Sequence, residues 1–440
     1  MKYYGDDGKL YQLGNEIGSG GEACVYEVIG HPEKVAKIFK ERKLNRERKI
    51  KVLSHLPWPA DVRQYLVLPD TPLYEDSAQR VFKGYIMEKV DCSCKLSDAY
   101  SETHPLSTYK KSCVAESLCK AVIAVHKLNG IAIGDFNSKN ILVDRASGKI
   151  RIVDVDSLHV IVRRNGGNEN EKYPCVALDP NLFMPEILNK FQEQKVRSLE
   201  DIDIKKVETF TKYTDYYCLA YHIHILLMTQ KPYGAALCKS DIQNSRPAPT
   251  INSMACKGQY AYVNLPARTL LPKTYPDFDI ITPKLQSLFI RAFRDGSSKP
   301  WLRPNAQEFL SALEEYTAGL RLCHCDGFDH YLYKDYSKSH CEWCRVEQVK
   351  QQERKVTFAD MKWMTEDELL RYIEISEKSS HAEAYLVLGR RYSGTGSDGV
   401  PAAPDIRKSK KYLRKSISCA RTANRADCAA MAKALMNRLN

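Results

Sequence analysis

The chain has 440 residues, 43% hydrophobic and 27% charged, values that exclude a wholly disordered protein. It exceeds the roughly 250 to 300 residues at which a single core stops growing, so one large domain and one or two small ones are expected. The net charge of +12 is made of Lys and Arg mixed with Asp and Glu along the chain, which reads as a solvated basic surface and argues against a nucleic-acid-binding protein.

The opening MKYYGDDGKLYQLG is polar and has no apolar leader. Fifteen cysteines, many in apolar context such as Cys24, Cys119 and Cys218, therefore point to reduced thiols and a cytoplasmic location. YQLGNEI, ACVYEVI, KVAKIF and GYIMEKV predict strands in the first ninety residues. One charged helix, from about Glu41 to Leu53, interrupts them. SCVAESLCKAVIAVHKL predicts a buried helix. A nearly all-apolar helix follows from Thr214 to Met228. Its longest apolar run, from Tyr216, has 13 residues with two histidines, too short to span a bilayer. Leu285 to Phe293 and Ala306 to Tyr316 predict two more helices. After Tyr316 come a Cys/His cluster, a basic linker VEQVKQQERK, and a helical tail that begins with Thr365 and Glu368 in capping-box spacing.

Three segments carry chemistry. IGSGGEACV, from Ile17, lies between two predicted strands, so its glycines form a hairpin whose amides can close over phosphates. In VAKIF, Lys37 is the lone charge of an apolar strand and needs an anion, for which nucleotide phosphate is suited. GDFNSKNILVD holds Asp135, able to accept a hydroxyl proton, and Asn140, able to turn back onto a metal. The strand KIRIV then ends at Asp154, a hard oxygen ligand of the kind Mg²⁺ requires.

On these residues the first 320 positions resemble the eukaryotic-type protein kinase superfamily, which implies an α+β, bilobal fold with lobes over 1–90 and 91–320. The resemblance places ATP under Ile17, Gly18, Gly20 and Val25, with Val25 and Ala36 as the adenine roof. Lys37 becomes the phosphate-gripping lysine. Met87, Glu88 and Val90 become gatekeeper and hinge. Asp135 becomes the catalytic base, and Asn140 and Asp154 the ligands of Mg²⁺ or Mn²⁺. FMPEI implies a pair between Glu186 and Arg303, and Asp215 a brace for the catalytic loop. Glu47 is the candidate helix glutamate facing Lys37, with Glu41 as the alternative. Departures are visible. Ile133 and Gly134 replace the family's His and Arg, Asn137 replaces its lysine with Lys139 nearby, and Asp154-Val155-Asp156 lacks the glycine. Asp156 reads as a cap for the next segment. The DxDS pattern resembles divergent bacterial Ser/Thr kinases with a zinc appendix.

Residues 321–350 contain Cys323, Cys325, His330, Cys341 and Cys344, ligand types suited to closed tetrahedral Zn²⁺. The preferred set is Cys325, His330, Cys341 and Cys344, with Cys323 able to replace either of the first two. Over 351–440, AEAYLVLGRRYSGTGSDGV and DIRKSKKYLRKSI resemble a Sel1-type helical repeat, a relative of the tetratricopeptide pair. The expected function is Ser/Thr protein phosphorylation, with a protein substrate and docking partners on the tail. A nucleotide-binding pseudokinase scaffold is the alternative. A small-molecule kinase is a third reading, against which FMPEI, Asp215 and LRPNAQEFL argue.

Overall fold

A computed structural model describes the chain except residues 42–43, 80, 92–93, 101–105, 164–169, 176–181, 183, 195–209, 238–248, 324–329, 339, 354–357, 376–380, 394–402, 423–424 and 440. The chain forms two compact units, Met1–Val349 and Lys350–Asn440.

The first unit begins with β1 (Lys2–Gly5), β2 (Leu10–Ser19), β3 (Ala23–Val28), β4 (His31–Phe39), helix α1 (Leu44–His55), β5 (Pro69–Tyr74) and β6 (Phe82–Glu88). The strands close into a barrel in the order β1-β2-β3-β4-β6-β5. The sequence did not announce β1 or β5. Pro69 and Pro72 in β5 remove ladder donors, and its pairing with β6 is irregular, yet Tyr4 opposite Tyr74 closes the barrel. In β4 the period of two sends Val35 and Phe39 to the large core shared with the helical lobe. Ala36 and Ile38 go to the barrel interior beside Tyr11, Leu13, Val28, Leu73 and Ile86.

The helical lobe is built on α2 (Thr108–His126). Short strands β7 (Ile131–Ala132), β8 (Ile141–Val143), β9 (Ile150–Ile152), β10 (His159–Arg163) and β11 (Asn170–Tyr173) carry the loops of interest. Helices α3 (Pro185–Gln194), α4 (Lys212–Met228), α5 (Pro283–Ile290) and α6 (Ala306–Gly319) are among its further helices. Side-chain caps set the starts of four helices: Ser107 accepts from the Lys110 amide, Thr211 from Tyr213, Thr282 from Leu285, and Asn305 from Glu308. Helix α4 is buried nearly all round, which explains its lack of a polar face.

β12 (Leu320–Leu322) and β13 (Tyr331–Tyr333) pair antiparallel and lead to α7 (Glu342–Glu353). The Cys/His segment thus lies within the first unit, and most of VEQVKQQERK, read as a linker, is helix. The second unit contains α8 (Glu366–Ile375), α9 (His381–Tyr392), α10 (Ile406–Thr422) and α11 (Ala426–Arg438). Thr365 and Glu368 form the expected reciprocal cap. A Cβ on Gly389 would meet Leu413 at 2.6 Å, so the glycine permits the close approach of α9 and α10. The GTGSDGV loop lies outside the described residues.

Candidate active site

Strand β8 pins the loop that precedes it. The Val153 amide donates to the Asn140 carbonyl at 2.8 Å, and Asn140 Nδ2 donates to Asp135 Oδ2 at 3.1 Å. Asp215, fully buried in α4, accepts from the amides of Ile133 and Gly134 at 2.8 and 3.2 Å and is 2.8 Å from His126 Nε2. A second α4 side chain, His222, places Nε2 2.6 Å from the Phe136 carbonyl and Nδ1 2.7 Å from the Tyr100 hydroxyl. The loop holding Asp135 is therefore tied from below by Asp215 and His222. Neither histidine was singled out from sequence, where a His in an apolar helix reads as core.

Gly134 has φ +76°, and a Cβ there would sit 2.9 Å from Cys175 Cβ, 3.0 Å from its Sγ and 3.1 Å from the Ser157 carbonyl. The position of the family's arginine is thus filled by the segment after Asp154, with no volume for a side chain. On that segment's far side Glu186 and Arg303 form a two-pronged pair at 2.7 and 2.6 Å. Arg303 also donates to the Tyr213 and Gly296 carbonyls.

Lys37 projects from β4 toward the end of β9, where its Nζ contacts Asp154 and donates to Asp156 at 2.6 Å. Burial alone would lower its pKa, but the Tyr85 phenol, Asp156 and Asp154 hold it above the ordinary lysine value. The two carboxylates differ. Burial and the neighbouring Asp156 charge raise the Asp154 pKa against the pull of Lys37. For Asp156 burial is outweighed by Lys37 and Arg46, and its pKa falls. The Asp154 side chain is 42% exposed and that of Asp156 only 9%, so Asp154 is the one open to solvent. Asp154 takes the left-handed conformation, φ 64°, which Asp tolerates better than most residues.

Several sequence expectations change here. Glu47 pairs with Lys51 at 3.3 Å, one turn along α1, and the ion-pair partners of Lys37 among the described residues are Asp154 and Asp156. From α1, Arg46 Nε lies 3.9 Å from Asp156 Oδ2 and Lys49 donates to the Pro174 carbonyl at 3.0 Å. Asp156 does not cap the next segment; it binds Lys37 and accepts from Tyr85. Ala36 faces the barrel interior, and strand parity puts Val35 beside Lys37 on the cleft side, opposite Met87 in the ladder. Val25 of β3 pairs with Lys37 of β4 and packs with the same core, as does Val90. Glu88 is exposed and pairs with Arg151. In the Gly-rich hairpin Gly18 pairs with Val25, the Gly20 amide donates to the Ala23 carbonyl at 2.8 Å, and Ile17 is exposed. Lys139, on the loop between Asp135 and Asn140, is exposed.

In the Cys/His segment His330 Nδ1 lies 3.7 Å from Cys341 Sγ and 3.6 Å from Cys344 Sγ, while its Nε2 faces Glu347 at 3.1 Å. Two thiols, an imidazole and a carboxylate on the far ring nitrogen fit a structural zinc site. The cluster of mutually close donors does not include Cys323, and Cys325 lies outside the described residues.

No protein-family model matches the chain. Over 357 residues it is 24% identical to the protein kinase YegI of Escherichia coli strain K12, covering 79% of this chain and 50% of the relative. The protein kinase YegI of Escherichia coli O157:H7 is 23% identical over 354 residues, covering 78% and 50%. The chain thus spans about half the length of the curated relatives it matches. Among solved structures, the Cydia pomonella granulovirus kinase PK-1 gives a TM-score of 0.43 at 14% identity over 69% of this chain and 93% of that one. The autoinhibited serine kinase domain of titin gives 0.46 at 14% over 70% and 81%. The chain is similar in sequence to proteins named protein kinases, and its first unit is an α+β fold.

Proposed function

We propose that the first unit is an ATP-dependent protein kinase that transfers the γ-phosphoryl group to Ser or Thr hydroxyls of a protein substrate in the cytoplasm. The observation that supports this best is that Lys37 contacts Asp154 while the loop carrying Asp135 and Asn140 is hydrogen-bonded to Val153, the residue before Asp154. Asn140 and Asp154 are the residues that would hold Mg²⁺ or Mn²⁺, which would neutralise charge developing on the phosphates. Asp135 orients the acceptor hydroxyl and takes its proton, with its carboxylate kept in place by Asn140. Lys37 exchanges its contact with Asp154 for phosphate oxygens. Val25, Val35 and Met87 offer an apolar bed for adenine, and the exposed Gly-rich hairpin supplies amides above the phosphates.

His330, Cys341 and Cys344, with Cys325 as the fourth ligand, would hold a structural Zn²⁺ that fastens the end of the first unit. The second unit, with its Sel1/TPR-like helices, serves as a docking element for protein partners. A pseudokinase scaffold is the second reading, favoured by one observation: two carboxylates already neutralise Lys37 and compete with phosphate. Labelled γ-phosphate transfer to the chain itself or to a generic acceptor, with phosphosites located by mass spectrometry, separates them. Transfer that disappears in Asp154→Asn supports the kinase; Mg-ATP binding without transfer supports the scaffold.

A further inference from the structure

We propose that Asp156 is the positioning residue that holds Lys37 toward the phosphates, in the place of a glutamate from α1. The inference rests on the kinase reading above and concerns how the same site is controlled. A buried ammonium that is to stay charged is held best by a buried carboxylate. Asp154 cannot serve permanently if it must also meet a metal, and its exposure to solvent leaves it free to exchange. Asp156 has no such opening. Its Oδ1 accepts from Lys37 Nζ at 2.6 Å and from the Tyr85 hydroxyl at 3.2 Å, and its Oδ2 lies 3.9 Å from Arg46 Nε. Removing Asp154 from Lys37 therefore leaves a complete, buried pair.

Helix α1 then contributes charge of the opposite sign to the site. Arg46 lies over the Phe39 ring at 4.3 Å, pairs with Glu22 of the Gly-rich hairpin and flanks Asp156. Lys49 donates to the Pro174 carbonyl at 3.0 Å. The anchor of Lys37 is carried two residues from Asp154 on one short segment, so a displacement of α1 leaves the Lys37 pair intact. It disturbs instead the hairpin and the segment around Cys175.

Double-mutant cycles on the full chain test this, with calorimetric affinity for a Mg-bound non-hydrolysable ATP analogue as the readout and thermal melting as the control for folding. Asp156→Asn is expected to weaken binding about tenfold, and Lys37→Met combined with Asp156→Asn to bind no worse than Lys37→Met alone, the mark of a coupled pair. Glu47→Gln is expected to cost under about threefold and to add independently to Lys37→Met. Should Asp156→Asn fail to fold, Tyr85→Phe deletes only the hydroxyl that fixes Asp156 and should weaken binding about threefold. Coupling of Lys37 to Glu47, or additivity with both Asp156→Asn and Tyr85→Phe, overturns the proposal. A wild-type chain that binds no Mg-nucleotide instead overturns the kinase reading beneath it.

Discussion

The packing around Gly134 makes a quantitative prediction. Replacing Gly134 by Ala puts a Cβ in the left-handed region, which costs about 1 to 2 kcal/mol. That atom would lie 2.9 Å from Cys175 Cβ and 3.1 Å from the Ser157 carbonyl, both on backbone or at a first side-chain carbon, which cannot swing aside. Overpacking of this kind adds about 1 to 3 kcal/mol, so the total loss is expected to be about 2 to 5 kcal/mol. Urea unfolding followed by tryptophan fluorescence measures it as a lower midpoint at unchanged slope. Pairing Gly134→Ala with Cys175→Gly removes the closest contact, and the two changes together should cost less than their sum. The Gly134 amide also donates to Asp215, so the same variant should slow phosphoryl transfer by loosening the Asp135 loop. A change within about 0.5 kcal/mol, typical of an unconstrained surface site, would refute the reasoning.

Arg303→Met breaks a pair whose arginine side chain has no solvent exposure, and should destabilise the chain by about 3 to 5 kcal/mol in denaturant unfolding, with part recovered when Glu186→Met is added. Lys49 carries a pH signature. Burial, with help from Arg46 and against Cys175 and Asp156, brings its pKa down to about 8, below the value it regains on unfolding. The folded state therefore sheds this proton first. Wild-type stability relative to Lys49→Met should rise between about pH 8 and 10.5, by at most roughly 1.4 kcal/mol per pH unit, and lie flat below that window; a falling difference contradicts the assignment. The Cys/His segment should yield one zinc per chain by elemental analysis, lost in Cys341→Ser together with a lower melting temperature. Equal zinc in that variant would remove the cluster from consideration.

The segments with strong local signals were legible. Alternating apolar runs gave four of the six barrel strands, and capping residues set the start of the helix after Thr365. Asp135 and Asn140 were singled out by their spacing, and the structure brings the two side chains together at 3.1 Å. What stayed hidden depends on tertiary partners. β5 reads poorly because of its two prolines, and exists because β1 and β6 flank it. Ala36 was placed beside adenine by resemblance, although strand parity already put Val35 on the face of Lys37. Asp156 looked like a local cap, since no local pattern shows that Lys37 and Tyr85 reach it from 119 and 71 residues away. His126 and His222 support the Asp135 loop through contacts that the α2 and α4 sequences do not encode.

The central claim concerns chemistry at Asp135, and labelled γ-phosphate transfer by the wild-type chain and by Asp135→Asn, matched for Mg-ATP binding, tests it most directly. The account predicts measurable transfer by the wild type and a fall of roughly a hundredfold or more in the variant. Equal rates in the two proteins would contradict it.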